Sequence, residues 1–136
     1  MTRFAFILTL FLSLVISSCN NTSSHDHNDA NSIELNDGQK WKVNAEMTPF
    51  ILEGEKILNE FNNDDFKGLA SQLKEQNNSL IKSCTMDGKS HDELHKWLHP
   101  HLEMVTELNE ADNVEEANEI VNRLKVSFET YHTYFE

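Results

Sequence analysis

The sequence predicts an all-α protein: an up-down-up-down four-helix bundle that follows a signal peptide and a flexible tether. Apolar residues recur every three or four positions through most of residues 41–136, which is the spacing of amphipathic helices. Short breaks rich in Asn, Asp or Gly separate these patterns, as expected for helices that fold back on their neighbours. No segment shows the alternation of apolar and polar residues that is typical of strands.

The N-terminal segment has the pattern of a signal peptide. Arg3 precedes an apolar run over residues 4–16, which is too short for a membrane span. Two serines lie directly before Cys19, and small residues in front of a cysteine resemble the lipobox of bacterial lipoproteins. The resemblance implies that residues 1–18 are removed, that Cys19 is lipidated, and that the protein is anchored to an envelope membrane facing the periplasm or the cell surface. An ordinary secretory signal or a signal anchor is the alternative.

Residues 19–40 are predicted to form the lipidated cysteine and a flexible polar tether. This segment is rich in Asn, Ser and Asp and contains almost no large apolar residue. His25 and His27 lie within it and could bind a metal ion weakly, although histidines in a polar tether are more often solubilising residues. The four-helix domain is then expected over residues 41–136.

The first helical pattern starts near Trp41 and ends before an Asn- and Asp-rich break at residues 62–65. Its apolar stripe consists of Val43, Met47, Phe50, Ile51, Gly54, Ile57, Leu58 and Phe61. If Thr48 is the N-cap, Pro49 occupies the first helical position, where proline is favoured. If the helix instead begins near Asn44, Pro49 is tolerated only as a kink.

The second helix is expected from about Asp65 to Cys84, and a tight turn follows at Asp87-Gly88. Ser90 is predicted to start the third helix, with Glu93 three residues later in capping-box spacing. Pro100 lies inside this helix and should kink it.

The fourth helix follows a short acidic turn at residues 109–113. Asn113 and Glu116 repeat the spacing of a capping residue and an acid three positions later. The apolar stripe comprises Val114, Ala117, Val121, Leu124, Phe128, Tyr131 and Phe135. Its spacing favours a core-facing helix.

Composition and motifs exclude several functions. The chain has 23 acidic and 11 basic residues, a formal net charge of −12, which is unfavourable for nucleic-acid binding. Its sequence has neither a Gly-rich phosphate loop nor a GxSxG nucleophile motif, and its carboxylates follow solvated helix faces, so we do not expect an enzyme. With Cys19 lipidated, Cys84 has no cysteine left for an intramolecular disulfide.

Residues 84–95 combine several side chains that bind metal ions. Cys84 and Met86 close the second helix, and His91 and His95 share a face of the third, one turn apart. Soft sulfur together with imidazole nitrogen is a typical ligand set for copper, especially Cu(I). The alternative is structural: a buried cysteine, a methionine that fills a gap, and surface histidines.

The chain from about Asn44 to Glu136 resembles cytochrome b562, a periplasmic four-helix haem protein, most clearly in the fourth helix. The resemblance rests on Asn109-Glu110, Val114 to Ala117, Leu124-Lys125 and the closing Tyr131-His132 with Phe135. It implies a haem b electron carrier in which His132 and Met47 are the axial ligands. In this register His91 and His95 replace large apolar side chains of the family's haem face, and the loop between the second and third helices is shorter. Both departures favour a directly bound metal ion.

The sequence therefore leads to three hypotheses. The first is an envelope lipoprotein that binds a metal ion, with copper favoured, for sequestration or transfer. Its nitrogen ligands would be His91 and His95, completed by Cys84, Met86, Met47 or His132. The second is the haem b electron carrier. The third is a helical lipoprotein without a cofactor that has a structural role or binds a partner protein of the envelope.

Overall fold

Four helices form an up-down-up-down bundle in the computed structural model, which describes residues 32–136. They are α1 (Thr48–Glu60), α2 (Phe66–Ser83), α3 (Gly88–Glu110) and α4 (Val114–Tyr134). α1 packs against α2 and α4, and α3 packs against the same two helices. The predicted fold class is thus confirmed. The predicted signal peptide, Cys19, His25 and His27 lie outside the described residues.

Two of the predicted helix starts are confirmed by their caps. The carboxylate of Asp65 accepts a 3.0 Å hydrogen bond from the backbone N–H of Gly68 at the start of α2. The side-chain oxygen of Asn113 accepts a 2.9 Å bond from the N–H of Glu116 at the start of α4. Each bond satisfies a helical N–H that has no partner within its helix, which typically stabilises a helix by about 1 kcal/mol.

The start of α3 differs from the predicted capping box. α3 begins at Gly88, whose φ of 61° lies in the left-handed region that favours glycine. The Ser90 hydroxyl donates to the carbonyl oxygen of Asp87 instead of accepting from the helix, and Glu93 bonds to Glu34 and Lys96. Glu93 is therefore used for a tertiary contact, which the local spacing could not reveal.

Residues 41–44 are not helical and a turn at residues 45–47 precedes α1, so the predicted helical pattern from Trp41 was wrong, whereas the alternative start at Thr48 agrees with the structure. The N–H of Trp41 donates to the Tyr134 carbonyl oxygen at 2.8 Å, and the N–H of Glu136 donates to the Trp41 carbonyl oxygen at 2.9 Å. This short parallel pairing buries Trp41 and Phe135 side by side with the core. α1 then begins at Thr48, and Pro49 occupies the first turn, where its missing N–H costs little.

Residues 32–40, predicted as part of the tether, lie against α3. Lys96 donates a 2.9 Å hydrogen bond to the carbonyl oxygen of Ser32, and the N–H of Glu34 donates one of 2.8 Å to Glu93. The indole N–H of Trp41 donates to the Glu34 carbonyl oxygen at 2.6 Å. These bonds and the contact of Ile33 with the core fix this part of the chain to the bundle.

A fully buried histidine occupies the core between α3 and α4. His101 lies within 3.0 Å of the Ser127 hydroxyl through Nδ1 and stacks on Trp97 at a centroid distance of 4.9 Å. Trp97 in turn donates a 2.8 Å hydrogen bond to the Ser127 carbonyl oxygen. Burial lowers the pKa of His101 to about 4, so the ring is neutral at pH 7. The preceding residue is Pro100, which lies inside α3 as the sequence predicts.

Candidate functional site

A cavity of about 240 Å³ joins the end of α2, the first half of α3 and the residue before α1. We call it the histidine cavity. It is lined by Met47, Ile81, Cys84, His91, Leu94, His95, Leu98, His99 and Leu102. Four of the six predicted metal ligands, Met47, Cys84, His91 and His95, thus come from three parts of the chain to one cavity.

Three histidines form a row along the cavity side of α3, one on each of three successive turns. Nε2 of His91 lies 3.1 Å from Nε2 of His95, and Nδ1 of His95 lies 3.0 Å from Nε2 of His99. His99 was missed by the sequence interpretation, although it continues the spacing of four residues set by His91 and His95. The sequence signal for His99 was therefore present in the spacing.

The distance between His91 and His95 suits two ligands of one ion. Two imidazole nitrogens that each bind a tetrahedral ion at about 2.0–2.1 Å are roughly 3.3 Å apart. The observed 3.1 Å between the two Nε2 atoms is close to that value. Without a metal, the same distance fits a hydrogen bond in which one ring donates its proton to the other.

The environment of the central histidine favours its neutral, metal-binding form. Burial lowers the pKa of His95, and the neighbouring His91 and His99 lower it further, while Asp92 acts in the opposite direction. A neutral imidazole has a free lone pair on one nitrogen, which a protonated ring lacks. If the Nδ1 proton of His95 is donated to His99, its Nε2 lone pair points towards His91.

Two sulfur-containing residues line the same cavity. Cys84 terminates α2 as its C-cap residue, is half-buried and forms no disulfide within residues 32–136. Met47 is fully buried directly before α1. Both side chains bring soft ligand atoms to a cavity whose remaining walls are leucine and isoleucine.

The other two predicted ligands lie elsewhere. Met86 packs against the core from the loop between α2 and α3 and does not line the histidine cavity. His132 lies on α4, with its side chain 45% exposed, and its Nε2 atom is 2.9 Å from a carboxylate oxygen of Glu55 on α1. The structure therefore brings four of the six predicted ligands together and leaves Met86 and His132 outside the cavity.

Within residues 32–136, no three His, Cys, Asp or Glu side chains converge into a preformed metal site. None of the helices in this part of the chain combines the length and the hydropathy that a membrane span requires. Comparison of the chain with protein-family models, curated proteins and solved structures finds no match in any of the three. The geometry of the histidine cavity is thus the basis for a functional proposal.

Proposed function

We propose that this protein is a lipid-anchored protein of the cell envelope that binds a transition-metal ion, with copper preferred, for sequestration or transfer. The observation that supports this function best is the 3.1 Å distance between Nε2 of His91 and Nε2 of His95 in a cavity shared with Cys84. In this proposal both Nε2 atoms bind the ion. The ion replaces the proton that the two rings share when no metal is bound.

The sulfur atoms favour copper over harder ions. Thiolate and thioether ligands select Cu(I), whereas carboxylates and carbonyl oxygens suit Mg²⁺ and Ca²⁺. Cys84 is the proposed thiolate ligand and Met47 the thioether ligand, because both line the cavity with the two histidines. Cys84 and the two histidines do not converge within residues 32–136, so coordination requires these side chains to move closer together.

His99 has a supporting role in this proposal. Its Nε2 atom lies 3.0 Å from Nδ1 of His95, the nitrogen that does not bind the ion. A hydrogen bond at this position fixes the orientation and the tautomer of a metal-binding histidine. His99 therefore acts through His95.

Metal titration of the mature, lipidated protein in detergent tests the proposal. Cu(I) and Zn(II) are titrated into the wild type and into the double variant His91→Ala/His95→Ala. We expect the double variant to bind Cu(I) at least about 100-fold more weakly, since it loses both nitrogen ligands. The exposed His132→Ala variant is the matched control and should bind like the wild type.

Equal Cu(I) affinity in the wild type and the double variant would refute the proposed site. Cys84→Ser should weaken Cu(I) binding more than Zn(II) binding, because a hydroxyl is a poor ligand for a soft ion. Elemental analysis and a visible absorption scan of the purified protein distinguish copper from the haem b alternative. A haem spectrum that Met47→Ala and His132→Ala both abolish would support haem instead, and a protein that binds neither would support the partner-binding alternative.

A further inference from the structure

A second and larger cavity lies further along the interface of α2 and α3. Its volume is about 340 Å³, within the range of small-molecule sites. The polar residues that line it are Ser71, Lys74, Asn77, Asn78, Thr106 and Asn109, and we call it the amide cavity. Ile81 and Leu102 line both this cavity and the histidine cavity, so they form a common apolar wall.

Asn77 supplies a buried hydrogen-bonding group in the wall of the amide cavity. Only 7% of this residue is exposed, and its side-chain nitrogen has no hydrogen-bond partner within residues 32–136. Buried polar groups in native proteins are nearly always paired with protein, water or ligand. A rotation of the Asn77 amide that brings this nitrogen to the cavity would allow it to donate to a hydrogen-bond acceptor bound there.

The charges around the amide cavity favour a ligand whose anionic group lies at the Lys74 side. Lys74 is the only charged residue that lines it, and it forms no ion pair with another residue of the described chain. An adjoining depression shares Leu102 and Thr106 but contains Glu103, Glu107 and Glu110. An anionic group is therefore attracted towards Lys74 and repelled from that side.

The apolar wall favours a hydrocarbon portion in the same ligand. Ile81 lines both cavities, and 45% of this apolar residue is exposed. A short hydrocarbon chain lying against Ile81 and Leu102 would remove this surface from water.

We propose that the amide cavity binds a small carboxylate with a short hydrocarbon chain. The carboxylate accepts hydrogen bonds from the Lys74 ammonium group and the Asn77 amide, and the hydrocarbon contacts Ile81 and Leu102. Charge-assisted bonds of this kind are stronger than those of a neutral acceptor. The polar contacts of this ligand are separate from the proposed metal site, because Lys74 and Asn77 do not line the histidine cavity.

Three probes of similar size test the ligand class. Hexanoate, hexanamide and hexylamine are each titrated into the metal-free full chain in detergent. Binding is monitored by NMR through the chemical shifts of the backbone amides. We expect hexanoate to bind in the millimolar range or tighter, with shifts centred on Lys74 and Asn77, and hexanamide to bind about tenfold more weakly. Hexylamine should not bind. Absence of hexanoate binding at 20 mM, or equal binding of the three probes, would overturn the proposal.

Two variants test the location of the site, and a third variant serves as the control. Lys74→Met removes the charge but keeps a long side chain, and we expect about a tenfold loss of hexanoate affinity. Asn77→Leu removes the amide with little change in volume and should also weaken binding. Lys67→Met, on an exposed position of α2 outside the cavity, should bind hexanoate like the wild type. Unchanged binding in both cavity variants, with thermal unfolding showing that they fold, would disprove this location.

Discussion

The backbone N–H of Glu34 donates a 2.8 Å hydrogen bond to the carboxylate of Glu93, a residue 59 positions later in the chain. Glu93 is only 3% exposed and also accepts a 2.9 Å bond from Lys96. It lies on α3 between His91 and His95, on a different side of the helix from the histidine cavity. The segment that precedes the bundle is thus fixed to the helix that presents the candidate ligands.

Glu93→Gln should destabilise the protein by about 1–3 kcal/mol, because it removes the charge that Glu34 and Lys96 stabilise. Burial alone raises the pKa of Glu93, but the Glu34 N–H and Lys96 outweigh it and lower the pKa below the usual 4.5. The ionised Glu93 carboxylate therefore stabilises the folded protein at pH values above the pKa that Glu93 has in the unfolded chain. This stabilisation is lost as the pH falls through the lower pKa that Glu93 has in the folded protein. Urea denaturation between pH 3 and 7 measures this loss of stability.

The control is Glu53→Gln. Glu53 forms an exposed pair with Lys56, so this substitution should change stability by less than about 0.5 kcal/mol. Equal effects of the two substitutions would contradict this prediction.

The helix starts show which parts of the fold could be predicted from the sequence. The caps at Asp65 and Asn113 are local, since each side chain bonds to an N–H three residues later, and both predictions are confirmed. The capping box at Ser90 and Glu93 failed because α3 already begins at Gly88 and the Glu93 carboxylate accepts a bond from Glu34, which is remote in sequence. Local spacing identifies a capping pattern but not a competing tertiary partner.

In the candidate site, too, the local spacing could be predicted from the sequence, whereas the tertiary packing could not. The spacing of four residues placed His91 and His95 on one face, and their nitrogens are 3.1 Å apart in the structure. The depth at which each side chain lies depends on packing between helices, which the sequence pattern does not specify. Both Met47 and His132 were predicted as ligands from the sequence. Met47 lines the histidine cavity, but His132 lies at the surface beside Glu55.

The buried histidine should make the protein less stable in acid. The pKa of His101 is about 4 in the folded protein and about 6.5 in an unfolded chain, so only the unfolded state gains a proton between these values. Stability should consequently fall by up to about 3 kcal/mol as the pH decreases from 6.5 to 4. His101→Met should remove this part of the pH dependence in urea denaturation. Leu58→Ala, on α1, also alters the core but should lower stability at every pH and leave this pH dependence unchanged. An unchanged slope in His101→Met would contradict the assignment.

Trp41 should be a major stabilising residue although it lies outside the helices. It is 8% exposed, pairs with the C-terminal residues through its backbone, and donates its indole N–H to Glu34. Trp41→Ala should destabilise the protein by about 3–5 kcal/mol, because it leaves a large cavity and breaks a hydrogen bond. Trp41→Phe keeps most of the apolar contact and should cost less than half as much. Thermal and urea unfolding measure both. Equal losses would show that the hydrogen bond, rather than burial, dominates.

His99 should affect metal affinity without binding the ion itself. Its Nε2 atom is 3.0 Å from Nδ1 of His95, so in the proposed site it would accept the Nδ1 proton and orient that ring. His99→Phe should weaken Cu(I) binding by about 10–100-fold, the usual effect of losing a hydrogen bond to a metal-binding histidine. His99→Gln can still hydrogen-bond to His95 and should restore most of the affinity. Competition titration with a Cu(I) chelator measures all three proteins. If the Gln and Phe variants lose the same affinity, His99 binds the ion directly and the row contributes three nitrogen ligands instead of two.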